Sequence, residues 1–150
     1  MRISLSDAQA RYGLIQNGMW GNLLQWCVSY ALPPGFSMMN GGILQRHIYC
    51  NKDIEPALDQ ALKSVLARGL SSQLKTFDGC LMVRDVRGLP GQPSCHSYAC
   101  AVDFNAATNQ LGDVNGDMSP EVVQCFKDAG FAWGGDFQRV DKMHFSLAWE

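Results

Sequence analysis

The sequence predicts an α+β fold with a small, mainly antiparallel sheet and two to four helices. Two segments, 53–69 and 119–130, carry apolar residues at helical spacing between a capping residue and a glycine. Short apolar segments that favour β structure lie between and after them. With 150 residues and no internal repeat or long linker, the chain is expected to form one domain over residues 1–150.

The first half of the chain is predicted to contain a short helix, a strand and a long helix. Ser6 is the expected N-cap of the short helix, and Gly13 is its expected end. Residues 43–50 alternate loosely between apolar and polar, which predicts a strand. Asp53 is the expected cap of the long helix, and Pro56 is tolerated in its first turn. The apolar stripe of that helix consists of Leu58, Ala61, Leu62, Val65 and Leu66.

The second half is predicted to consist of strands around one helix. Residues 80–84 and 99–104 are short apolar segments and are predicted as strands. The segment 119–130 begins with a capping serine, a proline and an acid and ends with glycine, which predicts a helix. The chain should then return to β structure, with 144–149 as the closing strand.

Composition and charge argue against nucleic acid and membrane insertion. Twelve basic residues stand against fourteen acidic ones, and the pI is about 5.9, so no broad cationic field is available for a polyphosphate. The most apolar window, 23–32, is interrupted by polar residues and is shorter than the roughly 20 residues that span a bilayer. No signal peptide is recognisable at the N terminus, so synthesis in the cytoplasm is expected.

The six cysteines are predicted to be buried free thiols. In an oxidising compartment they could form three bridges, but a chain of this length does not need disulfides to fold. None forms the close CxxC pair of a zinc knuckle. Cys95 and Cys100 flank His96, however, so a structural metal site of these three residues stays open as an alternative.

Two of the three histidines lie in segments rich in small and polar residues and are the candidate metal ligands. Zinc in hydrolases takes three nitrogen or oxygen ligands and keeps a fourth position for water, and His96, Asp103 and His144 supply such a set. An odd offset of seven places His96 and Asp103 on opposite faces of an ideal strand, so a turn after His96 is needed for them to converge. Asp141, three residues before His144, is the candidate general base.

Other interpretations of these residues are structural. Asp103 and Asp141 could be a strand-end acid and a turn acid, and His47 is interpreted as an ordinary surface or hydrogen-bonded residue. The alternating acids and amides of residues 113–117 resemble the opening of a calcium loop. The sixth loop position is Met118 rather than glycine, which favours a solvated turn.

Several motifs together resemble the VanY-like D-alanyl-D-alanine carboxypeptidase family, and in particular its phage branch, the L-alanyl-D-glutamate endopeptidase endolysins. These motifs are Ser94-x-His96-x6-Asp103, Ala101 to Asn105, Trp133-Gly134-Gly135-Asp136-Phe137, and Asp141-x-Met143-His144-Phe145. The resemblance extends upstream through Asn51-Lys52-Asp53, the long helix, Asp78-Gly79-Cys80 and Arg84-x2-Arg87-Gly88, and so covers about residues 43–150.

The resemblance implies an α+β unit shared with the Hedgehog signalling domain and one zinc ion held by His96, Asp103 and His144. It also implies that Asp141 is the general base and that Arg84 lies over the site, where it stabilises the oxyanion or binds a substrate carboxylate. Ser94 is expected to shape the site or contact substrate. Trp133 is expected either to line the cleft or to pack inside the protein.

Two residues depart from the family pattern near this site. Ala99 stands where the family commonly has glycine, which alters the loop after His96 if that position uses a positive φ. Lys142 stands where proline is frequent, which loosens the turn before His144. Neither departure removes a ligand or the base, so activity is still expected.

The resemblance implies a monomeric phage endolysin that hydrolyses peptidoglycan stem peptides, with the L-alanyl-D-glutamate bond as the expected target. Such an enzyme would be made in the host cytoplasm and would act in the periplasm and cell wall after release. Alternatives within the family are a D,D-carboxypeptidase or dipeptidase and a virion-associated wall peptidase. An alternative of another class is a zinc-bound binding module without catalytic activity.

Overall fold

Four helices and ten short strands are arranged along residues 2–149, which are the residues described by the computed structural model. The helices are α1 (Leu5–Tyr12), α2 (Leu23–Trp26), α3 (Glu55–Ala67) and α4 (Pro120–Asp128). The strands are β1 (Ile15–Gln16), β2 (Met19–Trp20), β3 (Cys27–Ala31), β4 (Met39–Asn40), β5 (Ile43–Leu44), β6 (His47–Asn51), β7 (Phe77–Gly79), β8 (Ala101–Phe104), β9 (Ala132–Trp133) and β10 (His144–Ser146). This mixture of helices and small antiparallel sheets confirms the predicted α+β class.

The largest sheet has four antiparallel strands in the order β7-β8-β10-β9. In the β8–β10 pair, Asp103 lies directly opposite His144. Directly opposite residues of an antiparallel pair have their side chains on the same face of the sheet, roughly 5 Å apart at the Cβ atoms. Pairing of β8 and β10, the second and last strands of this sheet along the chain, therefore brings an acid and an imidazole together.

The hydrophobic core lies between this sheet and helices α3 and α4, which pack against each other. The predicted stripe of α3 is buried at Leu58, Ala61, Leu62 and Val65. Three aromatic rings from β8, α4 and β10 stack in the centre, with the Phe126 and Phe145 rings 4.4 Å apart. Because β8 and β10 are buried in this core, their register is strongly specified.

The two predicted caps in the first half of the chain are wrong. Helix α1 is capped by Ser4, whose Oγ accepts the Asp7 N–H at 3.1 Å, and not by Ser6. Helix α3 begins after Ile54 without a side-chain cap, because the Asp53 carboxylate is held by Arg11 and by the Tyr12 hydroxyl. The ends at Gly13 and near Gly69, and the Ser119 cap of α4, agree with the sequence prediction.

The predicted strands differ more from the structure than the helices do. Residues 80–84 form no strand, because β7 ends at Gly79 with φ 138° and the following backbone bonds to the turn around His96 instead. The predicted strand 43–50 is interrupted between β5 and β6. The closing strand is limited to β10, and a 3-10 turn separates it from β9.

All six cysteines are buried and none forms a disulfide within residues 2–149, in agreement with the prediction of buried thiols. No helix formed by residues 2–149 is both long enough and apolar enough to cross a membrane.

Candidate metal centre

His96 is presented by a short 3-10 turn, Cys95–Tyr98, that precedes strand β8. The Ser94 Oγ caps the turn by accepting the His96 N–H at 3.3 Å, and Ser94 is itself buried. Ala99 ends the turn in the left-handed conformation, with φ 55° and ψ 33°. The chain reverses between His96 and β8, as the odd spacing to Asp103 requires.

Three side-chain atoms from different parts of the chain form a nearly equilateral triangle. The His96 Nε2 lies 3.1 Å from the Asp103 Oδ1 and 3.0 Å from the His144 Nδ1, and the third side is 3.1 Å. The three residues are 0%, 6% and 2% exposed, respectively. The structure thus brings together the three residues that the sequence analysis proposed as metal ligands.

The protons on these groups are too few for the triangle to be held by hydrogen bonds alone. The His96 Nδ1 lies 2.9 Å from the Cys80 carbonyl oxygen, which can only accept, so Nδ1 carries the proton. In the neutral imidazole, Nε2 then presents a lone pair towards the ionised Asp103. At most one proton, on the His144 Nδ1, can lie inside the triangle when both rings are neutral. A cation facing all three atoms would satisfy these lone pairs.

The size of the triangle fits a small divalent metal. Zinc–ligand bonds of about 2.0–2.2 Å in tetrahedral geometry place neighbouring ligand atoms about 3.3–3.6 Å apart. The distances between the three ligand atoms found here, 3.0–3.1 Å, are slightly shorter. The set of two imidazoles and one carboxylate is one that zinc accepts in hydrolases. The donor chemistry and the spacing therefore both fit such an ion.

The Asp103 carboxyl is ionised in spite of its burial. Burial would by itself raise its pKa, but when the imidazoles are protonated the charge of His96 and the hydrogen bonds that His144 and His96 then donate hold the pKa well below its ordinary value. Asp103 is consequently an anionic ligand at neutral pH.

Both imidazoles are also held by their outer nitrogens, a common arrangement around metal-binding histidines. The His96 Nδ1 contacts the Cys80 carbonyl, and the His144 Nε2 lies 3.6 Å from the Cys95 Sγ. The Cys100 thiol donates to the Tyr98 carbonyl. Within residues 2–149, the group whose ligand atoms all lie within 4.8 Å is the two histidines and Asp103, so the alternative site with Cys95 and Cys100 is not formed.

Asp141 lies beside the triangle at the start of the turn that leads to His144. Its N–H donates to the Gly134 carbonyl at 2.8 Å, and its own carbonyl accepts the His144 N–H at 3.1 Å. A Cβ on Gly134 would come 2.1 Å from the Asp141 carbonyl oxygen. The first glycine of the Trp133-Gly134-Gly135 motif is therefore required for this close approach of the two backbones.

A cleft of about 480 Å³ opens onto the metal centre. This volume lies within the usual range of small-ligand sites. Asp103, His144, Asp141 and Arg84 are all among the residues that line it. Its other lining residues are Val86, Arg87, Gly88, Leu89, Leu111, Phe137, Gln138, Arg139 and Met143.

Two buried polar residues that the sequence analysis gave no role hold the site together. The Ser97 Oγ donates to the Arg84 carbonyl at 2.6 Å and accepts the Arg84 N–H at 3.0 Å, which ties Arg84 to the His96 turn. Asn51 donates to the Ala99 and Tyr98 carbonyls through its N–H and its Nδ2. Its place as the first residue of the motif Asn51-Lys52-Asp53 was the available signal, but its partners are distant in the chain.

Trp133 is not among the residues that line the cleft. Its Nε1 donates to the Lys142 carbonyl at 2.9 Å, and its ring covers Gly135, where an added Cβ would come 2.2 Å from a ring carbon. Of the two roles left open for Trp133, packing is the one this position supports. His47 lies on β6 and is exposed.

The acidic loop near residue 115 is folded on itself. The Asp117 carboxylate accepts from the Thr108 hydroxyl and the Asn109 Nδ2, and the Asp113 carboxylate accepts the Asn115 N–H. These internal bonds are typical of the turn that the sequence favours over a calcium loop.

A family model described as D-alanyl-D-alanine carboxypeptidase matches residues 88–147. The matched segment is two-fifths of the chain and contains His96, Asp103, Asp141 and His144. Neither the curated proteins nor the solved structures contain a significant match to the chain. The family match supports a hydrolase of the peptidoglycan-acting metallopeptidase type.

Proposed function

We propose that this protein is a zinc metallopeptidase that hydrolyses the stem peptides of bacterial peptidoglycan at the L-alanyl-D-glutamate bond and acts as a phage endolysin. The observation that carries the proposal is the buried triangle of His96, Asp103 and His144, which opens onto a cleft next to a further acid, Asp141. The family match over residues 88–147 supports the chemical class.

Each residue of the site has a role in this reaction. His96, Asp103 and His144 would hold the ion, and bound zinc supplies a Lewis acid that polarises the scissile carbonyl and lowers the pKa of the attacking water. Asp141 accepts the proton of that water and passes it to the leaving amine. Arg84 pairs with the developing oxyanion or with a substrate carboxylate. Ser94 acts by capping the turn that carries His96.

The proposal includes the cellular setting of an endolysin. The protein is made as a monomer in the host cytoplasm and reaches its substrate in the periplasm and cell wall after release.

A D,D-carboxypeptidase is the second candidate, and the description of the matching family favours it directly. A dipeptidase or a virion-associated wall peptidase would use the same residues. These enzymes differ in the bond that they cut, so their products differ.

Metal analysis combined with a peptidoglycan digest tests the proposal. The purified protein is expected to contain about one zinc ion per chain and to release new amino-terminal D-glutamate from purified peptidoglycan. Release of free D-alanine instead would identify the carboxypeptidase. A protein that binds no divalent metal, or that cuts neither bond, would contradict the proposed function.

An Asp141→Asn variant tests the base. Loss of general-base catalysis should lower the rate by about 10²–10⁴-fold, while zinc binding is retained. The matched control is Asp128→Asn, because Asp128 is an exposed acid at the end of α4. Unchanged cleavage by the Asp141 variant would remove Asp141 from the mechanism, and a zinc-loaded but inactive wild type would indicate a binding module.

A further inference from the structure

Three arginines line the cleft in addition to the residues of the metal centre. They are Arg84, Arg87 and Arg139, out of seven arginines in the sequence. Among residues 2–149, none of the three is within ion-pair distance of a carboxylate. Their concentration on one cleft contrasts with the overall net charge of −2. The cleft is therefore a local site of unneutralised positive charge.

The two acids in the same cleft do not cancel this charge. Asp103 faces His96 and His144, and a bound divalent cation would more than neutralise it. Among the residues that line the cleft, the Asp141 carboxylate is then the one negative charge near three guanidinium groups. The field at the cleft would thus attract an anionic ligand in the metal-loaded protein.

Arg139 makes a hydrogen bond to the loop on the other side of the cleft. Its Nη1 donates to the Arg87 carbonyl at 2.9 Å, which joins the segment before Asp141 to the loop of residues 85–93. That loop is itself held at both ends: Asp85 bridges to Pro93, and the Val86 N–H donates to the Gln92 carbonyl at 2.8 Å. The guanidinium of Arg139 is therefore anchored to a loop whose two ends are joined by backbone contacts.

Most of the Arg139 donors remain available to a ligand. A guanidinium carries five N–H donors in a planar fork, and within residues 2–149 this side chain makes one hydrogen bond, the one to the Arg87 carbonyl. A guanidinium held on one side loses less conformational entropy when a carboxylate binds to the other side. The apolar wall of Val86, Leu89, Phe137 and Met143 would pack against the aliphatic part of such a ligand.

We propose that Arg139, supported by Arg87, forms a subsite for a second carboxylate of the substrate peptide, distinct from the group that pairs with Arg84. This inference rests on the proposed function and deepens it, because it requires a substrate peptide with a carboxylate in addition to any group that pairs with Arg84. Arg139 then determines specificity for acidic peptides, while the metal centre and Asp141 carry the chemistry.

The test is a double-mutant cycle between enzyme and substrate. The probes are a synthetic stem tetrapeptide, L-Ala-D-Glu followed by a diamino acid and D-Ala, and versions of it in which one carboxylate at a time is amidated. The proteins are wild type, Arg139→Gln, Arg139→Lys and the control Arg46→Gln. Arg46 is exposed and lies outside the cleft. Both kinetics and direct binding by calorimetry are measured on the zinc-loaded proteins.

Arg139→Gln is expected to lose about 10–100-fold in kcat/KM on the acidic peptide, the range of one charged hydrogen-bonded pair, and mainly through KM. Amidation of the carboxylate that binds Arg139 should lower kcat/KM of the wild type by a similar factor. The same amidation should lower kcat/KM of Arg139→Gln little further. Arg139→Lys should retain part of the preference for the acidic peptide over the amidated one, because lysine keeps the positive charge but not the planar set of guanidinium donors. Arg46→Gln should behave as wild type.

A loss in Arg139→Gln that is equal on acidic and amidated peptides would show that Arg139 only secures the loop, and would overturn the subsite. Unchanged kcat/KM and binding in this variant would also overturn it. Binding that depends on Arg139 and on one carboxylate, without cleavage of any peptide, would uphold the subsite and contradict the proposed peptidase activity instead.

Discussion

Ala99 is the one buried residue of the His96 turn with a left-handed backbone. Its φ is 55°, its side chain is fully buried, and its N–H and carbonyl bond to His96 and Asn51. A Cβ in this conformation costs about 1–2 kcal/mol. The structure therefore shows that position 99 of this chain uses a positive φ and accommodates a methyl group there.

Substitutions of Ala99 should reveal how tightly the turn is packed. Ala99→Gly relieves the left-handed strain, but it also removes a buried methyl group worth about 0.8 kcal/mol and makes the unfolded chain more flexible. Because these effects oppose each other, the free energy of unfolding should change by less than about 1 kcal/mol. Ala99→Val adds two methyl groups at a buried left-handed position and should lower the free energy of unfolding by about 2 kcal/mol or more. Urea unfolding measures this free energy for both variants. Equal stability of the valine variant would contradict the conformation of this turn.

The loop before α4 and the turn before β10 are joined by one side chain, that of Lys142. Its Nζ donates to the Val114 and Gly116 carbonyls at 2.7 and 3.0 Å. The Gly112 N–H adds a bond to the Val140 carbonyl. The turn that carries Asp141 is therefore supported from outside by contacts with residues 112–116.

Removing this support should affect the position of Asp141 more than the metal site. Lys142→Met is expected to lower the free energy of unfolding by about 1–2 kcal/mol, because two carbonyls lose a charged donor. It should also lower kcat about tenfold with little change in zinc affinity, and make residues 106–118 more sensitive to proteolysis. The control is Lys63→Met on α3, whose exposed ion pair with Asp59 should be worth less than about 0.5 kcal/mol. Equal effects of the two substitutions would contradict the role of Lys142.

At the scale of the whole molecule, the proposed ion would join three separate parts of the chain. The ligands come from the turn before β8, from β8 itself and from β10. With both imidazoles neutral, the lone pairs of the three ligand atoms converge, and a cation at their centre would satisfy all of them. A ligand that binds only the folded state adds RT ln(1 + [L]/Kd) to its stability.

Zinc should therefore raise the melting temperature. At a free zinc concentration one hundred times Kd, the gain is about 2.7 kcal/mol, which corresponds to roughly 5–10 °C for a domain of this size. Chelation should reverse the shift. The variants His144→Ala and Asp103→Asn should show no comparable response to zinc. A melting temperature that is the same with zinc and with chelator would contradict a metal site at this triangle.

The helices of this molecule could be predicted from local sequence because their signals are local. The stripe of α3 and the Ser119 cap of α4 depend on spacing within a few residues, and both are found. Caps and strands that depend on distant partners were predicted less well. Asp53 bonds to residues of α1 rather than to its own helix, and residues 80–84 bond to the His96 turn rather than to a strand.

The sequence by itself determined the fold class and which residues have the chemistry to hold a metal, because helix periodicity and ligand type are properties of short segments. Only the tertiary structure decided that Ser97 and Asn51 hold the site, that Trp133 covers Gly135 rather than the cleft, and that Arg139 crosses to the Arg87 carbonyl. These contacts join atoms that are far apart in the chain. Their geometry depends on how β8 and β10 pair within the common core, which no local pattern records.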